Sequence, residues 1–262
     1  MWATRCVHEA SHHNQNSFIT LTYSDEKLPP DCGLVKSHFQ KFIRKMRKSR
    51  EFKHQQIRYY QCGEYGETYH RPHYHACLFG VDFPDKEVWR VRDGVPLYTS
   101  DILDRLWSRG FSTIGEVNFE TAAYCARYIL KKVNGRNAEY INPETGLKHY
   151  ERIHTHTGEI VEVIPEYTTM SRRPGIGRDW LDAYSSDVYP ADALIINGHE
   201  TRPPRYYDNI YEVDHPESMD EIKTRRTKKA HELRHNATPD RLAVREKVKK
   251  AQISILKRNE VK

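Results

Sequence analysis

No stretch of the 262-residue sequence approaches the roughly 20 consecutive apolar residues that a membrane-spanning helix needs. No apolar leader precedes a cleavage site either. A protein of the cytosol with no membrane partner is the expectation. Cysteine is scarce: five residues, an odd number without close pairing, argue against a disulfide scaffold and for a reducing compartment. The missing C-x-x-C pair also removes the usual structural zinc site. Hydrophobic residues make up only 37% of the chain against 30% charged, enough to bury a core with little to spare. No internal repeat is visible, and the length suits one large domain or two small ones.

What is present is unevenly charged. Residues 217–262 hold fourteen Lys/Arg and seven Asp/Glu, a balance of +7, so the other 216 residues carry −1 of the net +6. A basic tail of mixed charge points to an anionic partner, nucleic acid first. The bland alternative is a solvated, partly helical extension.

Residues 1–16 are polar and His-rich, without a clear period. Residues 17–23 (SFITLTY) set apolar residues among threonines and predict a strand. Residues 35–50 place Phe39, Phe42, Ile43 and Met46 at helical spacing, a face to pack on a sheet, with seven basic residues on the remainder. Residues 57–63 (IRYYQCG) and 73–80 (HYHACLFG) predict two strands joined by a hairpin connection. Residues 101–109 predict a short helix with Ser100 as N-cap and Gly110 past its end, and 111–118 a further strand. The order β-α-β-β-α-β predicts an α+β, ferredoxin-like (RRM-like) antiparallel sheet with both helices on one face and the other face open. A helix over 120–133 follows. Residues 134–167 read as loop-rich with a hairpin around Thr157-Gly158, 189–216 as irregular, and the tail as helical but broken at Asn236 and Pro239. The expected organisation is a polar segment (1–16), a main domain (17–185), a linker (186–216) and a basic tail (217–262).

In a strand, residues two apart share a face. His73 and His75 therefore lie side by side, opposite Tyr74, Ala76 and Leu78. Two neutral imidazoles so placed hold one divalent cation if a third ligand arrives from a neighbouring strand. Glu64 is the best-placed carboxylate, with Gln61, Glu67 and His70 as weaker candidates. Two strand histidines with no metal are the commoner arrangement. His154 and His156 repeat the spacing in a polar segment without apolar alternation, and read as surface. On the helix over 120–133, Tyr124 and Tyr128 stand one turn apart, with Lys131 and Lys132 following on roughly the same side. Two tyrosines packing on the sheet is the plain reading of that pair. A phenol with its ordinary pKa of about 10 is a poor nucleophile. It becomes useful against a phosphodiester neutralised by a metal and a lysine, where attack gives a phosphotyrosine and releases a sugar hydroxyl.

Three motifs, in order, carry a family resemblance: FITLTYSDEKLP, GEYGETYHRPHYHACLFG and YCARYILKK. With them the chain resembles the HUH-type rolling-circle replication initiators with two tyrosines, most of all those of gokushoviruses in the microvirus family. The resemblance covers roughly residues 2–185 and includes SRRPGIGRDW. It implies a metal site at His73 and His75 with Glu64 at the acidic position, Mg²⁺ or Mn²⁺ as cofactor, and Tyr124 and Tyr128 as nucleophiles. Lys131 or Lys132 would orient the phosphate. The implied activity is nicking and rejoining of one strand at a phage origin, in the cytoplasm of a bacterial host, with host helicase and polymerase as further partners. The cysteine-rich stretch such initiators carry before the first motif is not seen here, where only Cys6 precedes that strand, so the N-terminus reads as shortened. For DNA binding, Arg172 and Arg173 beside a proline-glycine turn are candidate backbone clamps. Lys41 and Arg44 on the basic helix are candidate phosphate ligands, against a solvated outer face. Two rivals lack their signatures. An RNA-binding sheet wants aromatics where the histidines stand, and a histidine-triad phosphohydrolase wants a histidine where Cys77 stands.

Overall fold

The computed structural model describes residues 1–66, 69–92, 94–128 and 132–255. The chain is a mixed α+β protein that divides into two compact units, Met1–Ser185 and Ser186–Lys262.

The first unit is built on a seven-stranded antiparallel sheet. Its strands are β1 (Asn16–Leu21), β2 (Arg58–Tyr65), β3 (Pro72–Phe79), β4 (Glu87–Arg92), β5 (Val95–Thr99), β6 (Ser112–Gly115) and β9 (Tyr167–Met170). They run in the order β4-β5-β6-β1-β3-β2-β9. A separate hairpin of β7 (Glu151–Ile153) and β8 (Ile160–Glu162) stands at the expected Thr157-Gly158 turn. At the centre, β1 pairs with β3 on one side and β6 on the other, and β3 pairs with β2. The connections β1 to β2 and β5 to β6 carry α2 (Lys36–Lys48) and α3 (Asp101–Trp107).

Alternation sorts the side chains into two layers. Ile19 and Leu21 of β1, Tyr74, Ala76 and Leu78 of β3 and Ile114 of β6 face one way. They bury Phe39, Phe42, Ile43 and Met46 of α2 together with Leu103, Leu106 and Trp107 of α3. The Ser100 hydroxyl caps α3 by accepting from the Leu103 N–H at 3.1 Å. Gly110 then turns the chain into β6 with φ of +156°, where a Cβ would stand 2.3 Å from the Ser24 nitrogen.

The opposite face is not open, contrary to the sequence expectation. The helices α1 (Trp2–Ser11) and α4 (Phe119–Arg127) pack on it over β2 and β3. They bury Ala3, Cys6, Tyr60, Cys62, Cys77, Phe79, Ala122, Cys125 and Ile176 together. The reason lies in the strands: Tyr60, Cys62, Cys77 and Phe79 make this face apolar beyond the histidines, and apolar area seeks cover. The N-terminal residues expected as a polar segment provide half of that cover, because the polar members of α1 are buried with partners. Arg5 donates to the Ile176 carbonyl at 2.9 Å. Glu9 pairs with Arg58 and accepts from the Gly177 N–H at 2.6 Å.

Strands β4, β5 and β9 lie beyond the sequence expectation. The β4–β5 pair brackets an Asp93-Gly94 turn signal, and β9 closes the far edge by pairing with β2. The helix expected to run to Val133 ends as α4 at Arg127, with Tyr128 at its C-cap in helical conformation.

The second unit begins within α5 (Arg178–Val188), which is kinked at Tyr184. Where an irregular linker was expected it forms the hairpin β10 (Leu194–Ile196) and β11 (His199–Thr201) and α6 (Arg205–Asp214). There Arg226 pairs with Asp192 and Asp208, and Tyr189 donates to Asp208 at 2.7 Å. The basic tail forms α7 (Pro216–Glu232) and α8 (Pro239–Ile255), interrupted at 234–236.

Candidate active site

The site sits on β3, beside the central strand β1. In register, Thr20 of β1, His75 of β3 and Cys62 of β2 stand side by side, and Glu64 of β2 faces His73 of β3. The two imidazoles share the α1/α4 face with ring centroids 6.5 Å apart. His75 is 4% exposed and both its nitrogens are engaged. Nε2 meets Glu64 Oε1 at 2.9 Å, and Nδ1 meets the Thr20 hydroxyl at 3.0 Å. Burial first, then the neighbouring His75 and Arg71, lowers the His73 pKa to about 4. His73 is therefore neutral at physiological pH, the form that offers a lone pair.

Helix α4 brings both tyrosines onto this strand. An Asn118 capping box, closed by Thr121, fixes its start. The Tyr124 ring lies 4.9 Å from the His75 ring, edge-on, and the Tyr128 ring lies 5.6 Å away, tilted only 7° from parallel. The two phenol rings are 4.7 Å apart. Phe18 adds a third ring at 6.0 Å from His75. The tyrosines are thus packed on the sheet. Tyr128 is 4% exposed, while Tyr124 is half-buried. Burial, then the Glu64 charge, raises the pKa of both phenols.

Several other candidates fall away on position. Gln61 lies on the opposite face, where its amide donates to Thr169 at 2.6 Å. His70 sits exposed in the β2–β3 turn; burial, then Arg152 and His149, lowers its pKa. Glu67 and Lys131 lie outside the described residues. Lys132 is exposed in coil, and residues 129–131 that join it to Tyr128 lie outside the described residues. His154 and His156 lie in the turn between β7 and β8, away from the paired strands. Among the described residues no three His, Cys, Asp or Glu side chains converge closely enough to hold a metal ion. The donor types at His73, His75 and Glu64 suit a divalent cation, but Glu64 is hydrogen-bonded to His75. Thr20 and Phe18 escape the sequence reading. The signal is available, since alternation in SFITLTY puts both on the face opposite Ile19 and Leu21.

A family model for replication-associated proteins of the ORF2 type matches residues 16–133, which enclose every residue of this site. The replication-associated protein ORF2 of Spiroplasma virus 4 is 33% identical over 244 residues, covering 87% of this chain and 69% of that protein. The chain belongs to this family of phage replication-associated proteins. The replication-associated protein VP4 of Bdellovibrio phage phiMH2K is 30% identical over 240 residues, covering 88% of this chain and 69% of its own length. The replication-associated protein ORF4 of Chlamydia phage 1 is 25% identical over 216 residues, covering 79% and 49%. No solved structure matches the chain.

Outside the span matched by the family model, this replication-associated protein presents Arg172 and Arg173, both exposed, on a pinned loop. Arg58 donates to the Pro174 carbonyl at 2.9 Å, Arg5 to that of Ile176, and Gly177 donates to Glu9. Lys41 and Arg44 are also exposed, but on α2, which packs against the face of the sheet away from the tyrosines. The fold does not bring them together with the site.

Proposed function

We propose that this chain initiates phage genome replication by cutting and rejoining one strand of origin DNA through a phosphotyrosine. The observation that carries the reading is the packing of both Tyr124 and Tyr128 against His75. The four strands ordered β6-β1-β3-β2, with α2 and α3 on one face, are then the ferredoxin-like unit that carries the HUH pair. In the first step a Tyr124 phenol oxygen forms a bond to the scissile phosphorus. The bond to the 3′ oxygen breaks, the tyrosine proton passes by way of solvent to that oxygen, and the 3′ hydroxyl so formed leaves to prime synthesis by a host polymerase on a strand opened by a host helicase. Tyr124 acts first in this scheme because it is the less buried of the pair. Tyr128 attacks a second phosphodiester once that strand has regenerated the origin.

His73, His75 and Glu64 would hold the Mg²⁺ or Mn²⁺, Glu64 exchanging its hydrogen bond to His75 for the cation. When bound, the cation polarises the phosphate and offsets the Glu64 charge that helps raise both phenol pKa values. His73, neutral at physiological pH, is ready to bind without losing a proton, and Thr20 keeps the His75 ring in place. Lys132 and Lys131 are proposed to meet the phosphate, and Arg172 and Arg173 the flanking backbone. Lys41 and Arg44 would contribute only by meeting DNA on the opposite layer.

The test is incubation with a library of single-stranded origin-like DNA and Mn²⁺, reading covalent adducts on a denaturing gel. Wild-type protein should yield adducts, Tyr124→Phe should lose the first cleavage, and Tyr128→Phe should keep it but fail in strand transfer. His73→Ala with His75→Ala should abolish both adduct formation and Mn²⁺ binding. No adduct from any library member would overturn the reading.

A further inference from the structure

The face that carries His73 and His75 continues past β1 toward the β4 edge, and its character changes there. Ser112 of β6 pairs with Leu21 of β1, and Thr113 with Thr20, so alternation turns Thr113 and Phe111 to the side of the sheet that Thr20 and His75 occupy. On β5, Leu97 lies on that side, touching the space above Gly115 beside Phe18. Arg90 pairs with Leu97 and Arg92 with Val95, which carries the same side out to β4. The register slips between Val88 and Arg90, and Trp89, at that slip, packs edge-on against Phe111 with ring centroids 5.0 Å apart. Such a slip re-aims a side chain. Trp89 is 41% exposed and Phe111 38%. The helices α1 and α4 rest on β2 and β3, toward the other end of the strand order, and every residue of β4 is exposed.

We infer that Trp89 and Phe111, flanked by Arg90 and Arg92, form a stacking platform for single-stranded DNA on the same face as the tyrosines. The inference rests on the proposed function for its choice of nucleic acid. Exposed aromatic faces with guanidinium groups beside them are what a strand of unpaired bases recognises, since each base offers a π-face and each phosphate a charge. A duplex hides its base faces and gains only the charge. A second copy pairing along the β4 edge is disfavoured because Arg90 and Arg92 leave that edge net positive. Glu87 is the one acidic side chain among the described residues of β4. Phe111 immediately precedes β6, two strands from β3, or roughly 10 Å across the sheet. A strand stacked there is within reach of the site.

The experiment measures anisotropy of a labelled oligothymidylate on the full chain, with Trp89→Ala, Phe111→Ala and Trp89→Phe. Each alanine variant should bind between about 5- and 140-fold more weakly, the loss of one base–aromatic stack. Trp89→Phe should retain most of the affinity, and a duplex of the same length should be little affected by any of the three. Far-UV circular dichroism should be unchanged, because both rings lie on the surface. Alanine variants that bind oligothymidylate like wild type overturn the platform, even where all form adducts with origin DNA and the nicking reading stands. Loss of oligothymidylate binding in those variants, with no adduct from any protein, sinks nicking and leaves the platform. Concentration-dependent dimerisation that disappears in Trp89→Ala assigns the surface to a second copy and also overturns it.

Discussion

Replacing Glu9 by Gln tests the stitch that holds α1 to the sheet. Glu9 is 3% exposed, and burial alone would raise its pKa. Hydrogen bonds from His13, Arg58 and the Gly177 N–H, with the Arg58 charge, instead bring it from 4.5 down to about 2. A folded-state pKa below the unfolded value means stability that is complete above pH 4.5 and is lost as the pH falls from there toward 2. That gap corresponds to about 3 kcal/mol. At pH 7, Glu9→Gln also leaves Arg58 buried without a countercharge, so its cost should be about 3–5 kcal/mol. The excess over wild type should shrink as the pH is lowered through the window from 4.5 to 2. All four tryptophans, Trp2, Trp89, Trp107 and Trp180, lie within Met1–Ser185. Urea unfolding followed by their fluorescence therefore reports this unit alone. A cost below about 1 kcal/mol at pH 7, or one that stays constant down to about pH 3, would refute the reasoning.

Thr20→Val should leave the His75 Nδ1 without its partner and cost roughly 1–3 kcal/mol in the same urea assay, whereas Thr20→Ser should restore most of it. Gly110→Ala places a methyl against the backbone of residues 22–24 at a φ that L-residues avoid. It should lower stability by more than about 1 kcal/mol, read as a drop in the urea midpoint. Lys228 and Lys229 are exposed on α7. If they neutralise phosphates, changing both to Gln should flatten the slope of log Kd against log salt for single-stranded DNA by about 0.7 for each phosphate no longer neutralised. An unchanged slope would remove that helix from the DNA surface.

Much of the core is legible in the sequence because its signals are periodic. Phe39, Phe42, Ile43 and Met46 mark one helix face, and Tyr74, Ala76 and Leu78 mark one strand face. The Ser100 cap opens α3 as its chemistry dictates, whereas the left-handed residue that closes it is Ser108 rather than Gly110. The His73–His75 pair falls on one face for the same reason. What escapes is tertiary. The cover supplied by α1 depends on Arg5 and Glu9 finding partners more than 160 residues away at Ile176 and Gly177, and no local pattern announces that. The early end of α4 is hidden by helix-permissive residues beyond Tyr128. The β4–β5 hairpin stays concealed despite Asp93-Gly94, because EVWRVR lacks a clean apolar alternation and is exposed along its whole length. Hydrophobicity groups Phe18 with Leu21 and Tyr23, although its odd offset puts it on the opposite side.

Four of the five cysteines, Cys6, Cys62, Cys77 and Cys125, are fully enclosed between α1, α4 and the strands, while Cys32 is partly accessible. Cys125 neighbours Tyr124 on the helix that also leads into Tyr128. An excursion that lifts α4 from the sheet to bare Tyr128 lifts Cys125, three residues earlier on the same helix, with it. The rate at which a thiol reagent modifies Cys125 in the native protein becomes a clock for those excursions, and the DNA that captures them should slow or quicken it without any label having been engineered in.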